Sequence, residues 1–220
     1  GQGENNDFQI QRIQLDPLSS LATVSSTGRR VGELSLSVVG KHNLLNALAA
    51  FTAASALNMA EDKLFAGLKS FTGTRRRFEL KGEVSGVKVI DDYGHHPTEI
   101  IATLTAAKNL AQSARVLVIF QPHRYSRTAA FSEQFSAALS NADFTFLLEV
   151  YAASEKPIPG VSSLMIARNM DQSKVKFEPS MLEVVSEITK MAKSGDVIIT
   201  LGAGDISSLG EPILQSLADR

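Results

Sequence analysis

One short stretch most constrains what this chain can fold into: "RVLVIF" at 115–120, with "DVIITLG" at 196–202 a further strand. The first runs through consecutive apolar residues without the polar alternation of a half-solvated strand. Such a strand has to be covered on both faces. Around them lie stretches of helical composition, "PTEIIATLTAAKNLA" (97–111), "AAFSEQFSAALSNA" (129–142), "MLEVVSEITKMAK" (181–193) and a last helix to the C-terminus. Pro97 sits in a first helical turn, where its missing N–H costs nothing. "FTFLLEVY" (144–151) and "KVKFE" (174–178) add strands, and "FELKGEVSGVKVID" (78–91) reads as a hairpin turning near Ser85-Gly86. Strands alternating with helices predict an α/β fold: a Rossmann-like, mostly parallel sheet with helices on both faces.

Residues 7–40 have a different rhythm. Phe8, Ile10 and, after a slip, Ile13 and Leu15 fall at strand spacing, and Thr27-Gly28-Arg29 reads as a turn between two further apolar bursts. This predicts a small antiparallel sheet. "HNLLNALAAFTAASALNM" (42–59) predicts a helix, and "AEDKLFAGLKSFTG" (60–73) a shorter one ended by Gly73. A basic cluster, Arg75-Arg76-Arg77, follows, and a domain boundary is expected there, dividing the chain into 1–74 and 75–220.

Composition excludes several kinds of chemistry. The 220 residues contain no cysteine, which rules out disulfides, thiolate nucleophiles and cysteine-ligated metals. A formal net charge of −1 provides no global attraction to nucleic acid or anionic lipid, so neither is expected as a partner and any anion site must be local. No apolar run approaches the length of a membrane span. The polar start "GQGENNDF" lacks the regions of a signal peptide and reads as a cut edge.

In sheets of this kind ligands sit beyond the carboxyl ends of the strands. The polar clusters fall there: "DDYGHH" after "VKVI", "QPHRYSRT" after "VLVIF", "YAASEKP" after "FLLEV" and "GAGD" after "VIITL". A single cleft is expected. Arg124 and Arg127, at a strand-to-helix turn, offer guanidinium forks suited to carboxylate or phosphate, beside the N–H groups of a helix start. Solvated surface arginines are the plain alternative, but the pair shares its loop with His123 and Tyr125, which favours an anion site.

In "DDYGHHP", His95 and His96 are adjacent and would point apart, so a metal site is not expected. Either one histidine caps the helix and the other packs on the sheet, or Asp91 or Asp92 receives a ribose or a cation while Tyr93 and a histidine line a pocket. In "GKHNLLNALAA", His42, Asn43 and Asn46 open a helix. Asn presents a donor and an acceptor together, which suits an adenine edge, but helix capping explains the residues equally well. "TLGAGDI" has the look of a phosphate loop without a complete GxGxxG, and no GxxxxGK[ST] occurs in the chain.

Taken together, "GKHNLLNALAA", "RRRFELKG", "IDDYGHHPTEI", "FQPHRYSRT", "VYAASEKPIPG" and "TLGAGDI", in this order, resemble the Mur ligase family, whose members build the peptide of bacterial peptidoglycan. The likeness runs from about residue 7 to the end. It is greatest to the members that join L-alanine to UDP-N-acetylmuramate through an acyl phosphate made with ATP. A related ligase that recycles murein tripeptide shares "HHP" but is less basic where this chain has "QPHRYSRT".

The resemblance implies a cytoplasmic three-domain enzyme, of which residues 1–74 would end the central, ATP-binding domain and 75–220 form the C-terminal domain. It also implies that the P-loop and the magnesium ligands lie elsewhere, so ATP and Mg2+ belong to the full-length enzyme. No catalytic or metal-binding residue is assigned here, and this chain alone is expected to be inactive. By the same resemblance, His42, Asn43 and Asn46 would face adenine, and Arg77 and Asp92 the phosphates and ribose, with domain closure completing the ATP site. Tyr93, His95, His123, Arg124 and Arg127 would line the place where L-alanine meets the muramyl group, the arginines holding the amino acid carboxylate. The family more often reads "YAAGE" where this chain has Ser154, so no residue is carried over from that loop. A self-standing nucleotide-binding module without catalysis is the remaining alternative.

Overall fold

The computed structural model describes residues 1, 3, 6–16 and 19–220, which divide into two compact units, Gly1–Thr74 and Arg75–Arg220.

In the first unit, strands β1 (Phe8–Leu15), β2 (Ser20–Ser26) and β3 (Arg29–Leu36) form an antiparallel sheet in that order. The slip read between Ile10 and Ile13 is a bulge: the register shifts between Gln11 and Gln14, and Arg12 has φ +50°. Thr27 and Gly28, both at positive φ, form the two-residue turn between β2 and β3, a geometry that matches strand twist. Helices α1 (Lys41–Ala56) and α2 (Glu61–Lys69) cover the sheet, burying Leu44, Leu48, Phe51 and Leu64 against Ile10, Val24 and Leu34. Helix α2 stops at Ser70, short of Gly73: the Ser70 hydroxyl donates back to the Gly67 carbonyl, and Phe71 closes a tighter turn onto Leu68.

The second unit contains β4 (Glu79–Val84), β5 (Val87–Asp92), α3 (Pro97–Ala111), β6 (Val116–Phe120), α4 (Tyr125–Leu139), β7 (Phe144–Leu147), α5 (Leu164–Ala167), β8 (Val175–Phe177), α6 (Met181–Met191), β9 (Val197–Leu201) and α7 (Gly210–Ala218). The sheet order is β4-β5-β9-β6-β7-β8. Only the β4–β5 hairpin, turning at Ser85-Gly86, is antiparallel. The bare apolar stretch is β6, which lies with β9 at the centre of the sheet. Their side chains alternate between two cores, as the pleat requires. Val116, Val118, Phe120, Val197, Ile199 and Leu201 pack with Ile100, Leu104 and Phe135 of α3 and α4. Leu117, Ile119 and Ile198 pack on the other face with Val184, Ile188, Ile213 and Leu217 of α6 and α7.

Two boundaries differ from expectation. Helix α4 begins at Tyr125, inside "QPHRYSRT", because Thr128 already bonds to the Arg124 carbonyl. Strand β7 ends at Leu147, and Tyr151 returns only as a single bridge to His123. Among the described residues no helix is long and apolar enough to cross a membrane.

Candidate functional site

The last strand in sequence, β9, lies between β5 and β6, so the loops after all three leave the same sheet edge side by side. The glycines after β9 let that edge close. Gly202 has φ +148°, and a Cβ there would lie 2.6 Å from the Gln121 carbonyl oxygen. On Gly204 a Cβ would lie 2.3 Å from Gln121 Oε1 and 2.8 Å from the Tyr151 ring. These glycines thus serve the packing of one loop on its neighbours. Gln121, buried, donates to Asp205 Oδ1 (2.8 Å) and accepts from Ile206 N–H (3.3 Å), tying the β6 loop to the β9 loop.

The adjacent aspartates of β5 point to opposite sides, as alternation demands. Asp91, 2% exposed, takes Arg76 Nε at 3.1 Å and the Thr200 hydroxyl at 2.8 Å. Arg76 also donates to the Gly202 carbonyl (2.5 Å), so one guanidinium spans β5 and the β9 turn. Asp92, 6% exposed, accepts from the N–H groups of Phe78 (2.7 Å) and Gly94 (2.8 Å) and from the Thr103 hydroxyl (3.0 Å). Burial nevertheless raises its pKa above the usual carboxylate range. Its carboxylate therefore shapes the turn from within.

The two histidines diverge. His96 caps α3: its Nδ1 accepts from Thr98 N–H, Glu99 answers by accepting from the His96 N–H (3.1 Å), and the ring packs edge-on against Phe131. His95 turns to the open edge. Its Nδ1 lies 3.0 Å from the Tyr93 carbonyl, which can only accept, so Nδ1 carries the proton.

From there a row of flat groups crosses three loops. The guanidinium carbons of Arg76 and Arg77 lie 5.0 and 5.5 Å from the Tyr93 ring centre. Tyr93 meets His95 edge-on at 5.2 Å, His95 meets His123 at 6.0 Å, and His123 stacks on Tyr151 at 5.5 Å, 15° from parallel. Arg77 also reaches Glu99 Oε1 at 3.5 Å. Arg127 Nη1 lies 3.5 Å from His123 Nδ1 and from the His123 carbonyl. Burial, then Arg127, His95 and Arg124 nearby, hold the His123 pKa below its ordinary value. Arg124, exposed, sits at the start of α4 with φ +76°. A groove of about 340 Å³ lined by Arg75, Arg76, Glu79, Lys81, Asp91 and Ser207 opens beside the Arg76–Asp91 pair.

Tyr93, His95, His123 and Arg127 thus come together, with Arg77 at one end and Arg124 beside His123. Sequence reasoning missed Arg76, Tyr151 and Gln121. The triplet of arginines gave no sign of which one turns inward, and Tyr151 reads as the end of a strand that stops at Leu147. In the first unit His42 and Asn46 are exposed on α1, and Asn43 donates to the Val39 carbonyl (2.8 Å) before the helix. The N-cap itself is Gly40, so the capping explanation holds for none of the three side chains. Among the described residues no group of three or more His, Asp or Glu side chains could hold a metal ion.

Residues 76–204 match the family described as Mur ligase, glutamate ligase domain. The UDP-N-acetylmuramate–L-alanine ligase of Renibacterium salmoninarum is 47% identical over 185 residues, covering 84% of this chain and 39% of that protein. Among solved structures, the UDP-N-acetylmuramate-alanine ligase MurC of Thermotoga maritima superposes with a TM-score of 0.81 at 28% identity, covering 97% of this chain and 46% of that one. A murein peptide ligase from Psychrobacter arcticus superposes at 0.69 with 26% identity, over 98% and 45%. The chain spans less than half the length of these proteins.

Proposed function

Because the chain belongs to the Mur ligase family, we propose that it is the C-terminal half of an ATP-dependent ligase that joins L-alanine to UDP-N-acetylmuramate in cytoplasmic peptidoglycan synthesis. The observation that carries this reading is the row Tyr93, His95, His123 and Tyr151, with Arg124 and Arg127 behind it, at one sheet edge. Such a wall suits a small zwitterion. The arginines pair with its carboxylate, and the flat rings of Tyr93, His95, His123 and Tyr151 bound the space beside it.

In this reading residues 1–74 end the central domain and 75–220 form the C-terminal domain. His42, Asn43 and Asn46 present a polar helix start to adenine. Arg77, at the free end of the row, meets the nucleotide phosphates. Asp92 serves the nucleotide indirectly, by holding the 92–94 turn through its three internal bonds. ATP supplies the phosphoryl group that activates the muramyl carboxylate, and the L-alanine amine then displaces phosphate. In this reading the magnesium ligands lie, with the P-loop, outside residues 1–220. The P-loop and the rest of the muramyl site belong, in this reading, to the preceding half of the protein, so the chain alone is inactive.

A tripeptide-recycling ligase would use the same edge with a larger amine donor. The 47% identity to the L-alanine ligase of Renibacterium salmoninarum, against 26% to the murein peptide ligase, favours the smaller donor. Phosphate release by this chain carried in a full-length ligase tests the choice. Release that depends on L-alanine in preference to murein tripeptide is expected; no dependence on L-alanine would refute the proposal.

A further inference from the structure

The loop from Tyr151 to Glu155 holds the lead-in to α4 at Pro122 and Arg124 and its first turn at Ser126. Arg124 N–H donates to the Tyr151 carbonyl (2.8 Å), and Tyr151 N–H donates to the Pro122 carbonyl (2.8 Å). Glu155 accepts from both the N–H (2.9 Å) and the hydroxyl (2.6 Å) of Ser126. Both sides of this junction are strained. Arg124 has φ +76°, and Ala153 and Ser154 have φ +48° and +70°. Side chains of L residues persist in that region only where their surroundings over-determine them. Arg124 is held at its own amide by Tyr151 and, two residues on, by Glu155. If either lets go, Arg124 can relax toward negative φ, and the direction of its Cα–Cβ bond changes.

We propose that Glu155 is a positioning residue: its carboxylate, bonded to Ser126, pins the first turn of α4 and so keeps Arg124 in the conformation that aims it with Arg127 at one ligand carboxylate. The residue type fits the task. Two donors meet two carboxylate oxygens, whereas glutamine would present an NH2 to one of them. The Ser126 bonds and the nearby Arg124 also hold the Glu155 pKa below the usual carboxylate range, so the acceptor stays ionised.

The role in amino acid binding rests on the function proposed above, but the pinning does not, and two measurements separate them. The first is amide hydrogen exchange on the 220-residue chain. In Glu155→Ala the Arg124 amide, whose own acceptor Tyr151 is untouched, is expected to exchange about tenfold faster, with a smaller effect in Glu155→Gln and none at Val118 or Ile199. An unchanged Arg124 amide overturns the proposal. The second uses the chain in a full-length ligase. Glu155→Ala is expected to raise KM for L-alanine about tenfold with KM for ATP unchanged, and Glu155→Gln to recover part of the loss. Faster exchange at Arg124 with an unchanged L-alanine KM would overturn the positioning role and leave only a structural contact. Absence of L-alanine-dependent turnover in the unsubstituted enzyme would instead refute the ligase reading, with the exchange result still deciding the pinning.

Discussion

His95 and His123 meet across two loops with ring centres 6.0 Å apart, and Arg127 Nη1 stands 3.5 Å from His123 Nδ1. His123 should therefore titrate below the ordinary value of 6.5, through burial first and its positive neighbours second. A native pKa below the unfolded one means the unfolded chain binds the proton more readily. The contribution of His123 to stability is thus fully present above pH 6.5 and is lost as pH falls through the lowered native value. An NMR titration of the ring should show the depressed midpoint, and Arg127→Ala should move it part of the way back up.

Removing Arg76 should be costly, because it strands the buried Asp91 carboxylate. Arg76→Ala is expected to destabilise the second unit by about 3 kcal/mol in urea denaturation. The double variant Arg76→Met with Asp91→Leu should lose clearly less, since it leaves no uncompensated charge. Equal losses would mean that the pair contributes only through packing.

Ser154 sits at φ +70°, where glycine is unstrained. Ser154→Gly should therefore stabilise the chain by about 0.5 kcal/mol, the relief of backbone strain exceeding the added entropy of the unfolded state. A thermal melt showing lower stability would contradict this assignment of strain.

Gly202 should tolerate nothing larger. With φ +148° and the Gln121 backbone carbonyl 2.6 Å from any Cβ, Gly202→Ala should destabilise by about 3 kcal/mol and disturb the β6 and β9 loops together. Chemical denaturation measures the loss, and shifted amide resonances at Gln121 and Ile206 would report its location.

Much of this architecture was legible in the sequence. The bare apolar stretch around Val118 identified a strand covered on both faces, because full burial removes the need for alternation. The slip after Ile10 marked a real bulge. The loops after the strands located the edge where Tyr93, His95 and His123 meet. What escaped was what depends on the direction of one bond. Arg75, Arg76 and Arg77 are chemically alike, and only the backbone, with Arg76 at φ +60°, sends the middle one to Asp91. Asp91 and Asp92 looked interchangeable until alternation assigned them to different sides, and both are spent inside the protein. Tyr151 follows β7 without periodicity, so its stacking on His123 leaves no local signal. The start of α4 was misplaced because Arg124 breaks the helix rules at positive φ.

The central claim is that Arg124 and Arg127, beside this wall, hold the carboxylate of the amino acid. Steady-state kinetics of Arg124→Ala in a full-length ligase carrying this chain test it most directly. A loss of about 2 kcal/mol or more from a charge pair corresponds to an L-alanine KM raised about 30-fold, with KM for ATP nearly unchanged. An L-alanine KM equal to that of the unsubstituted enzyme would contradict it.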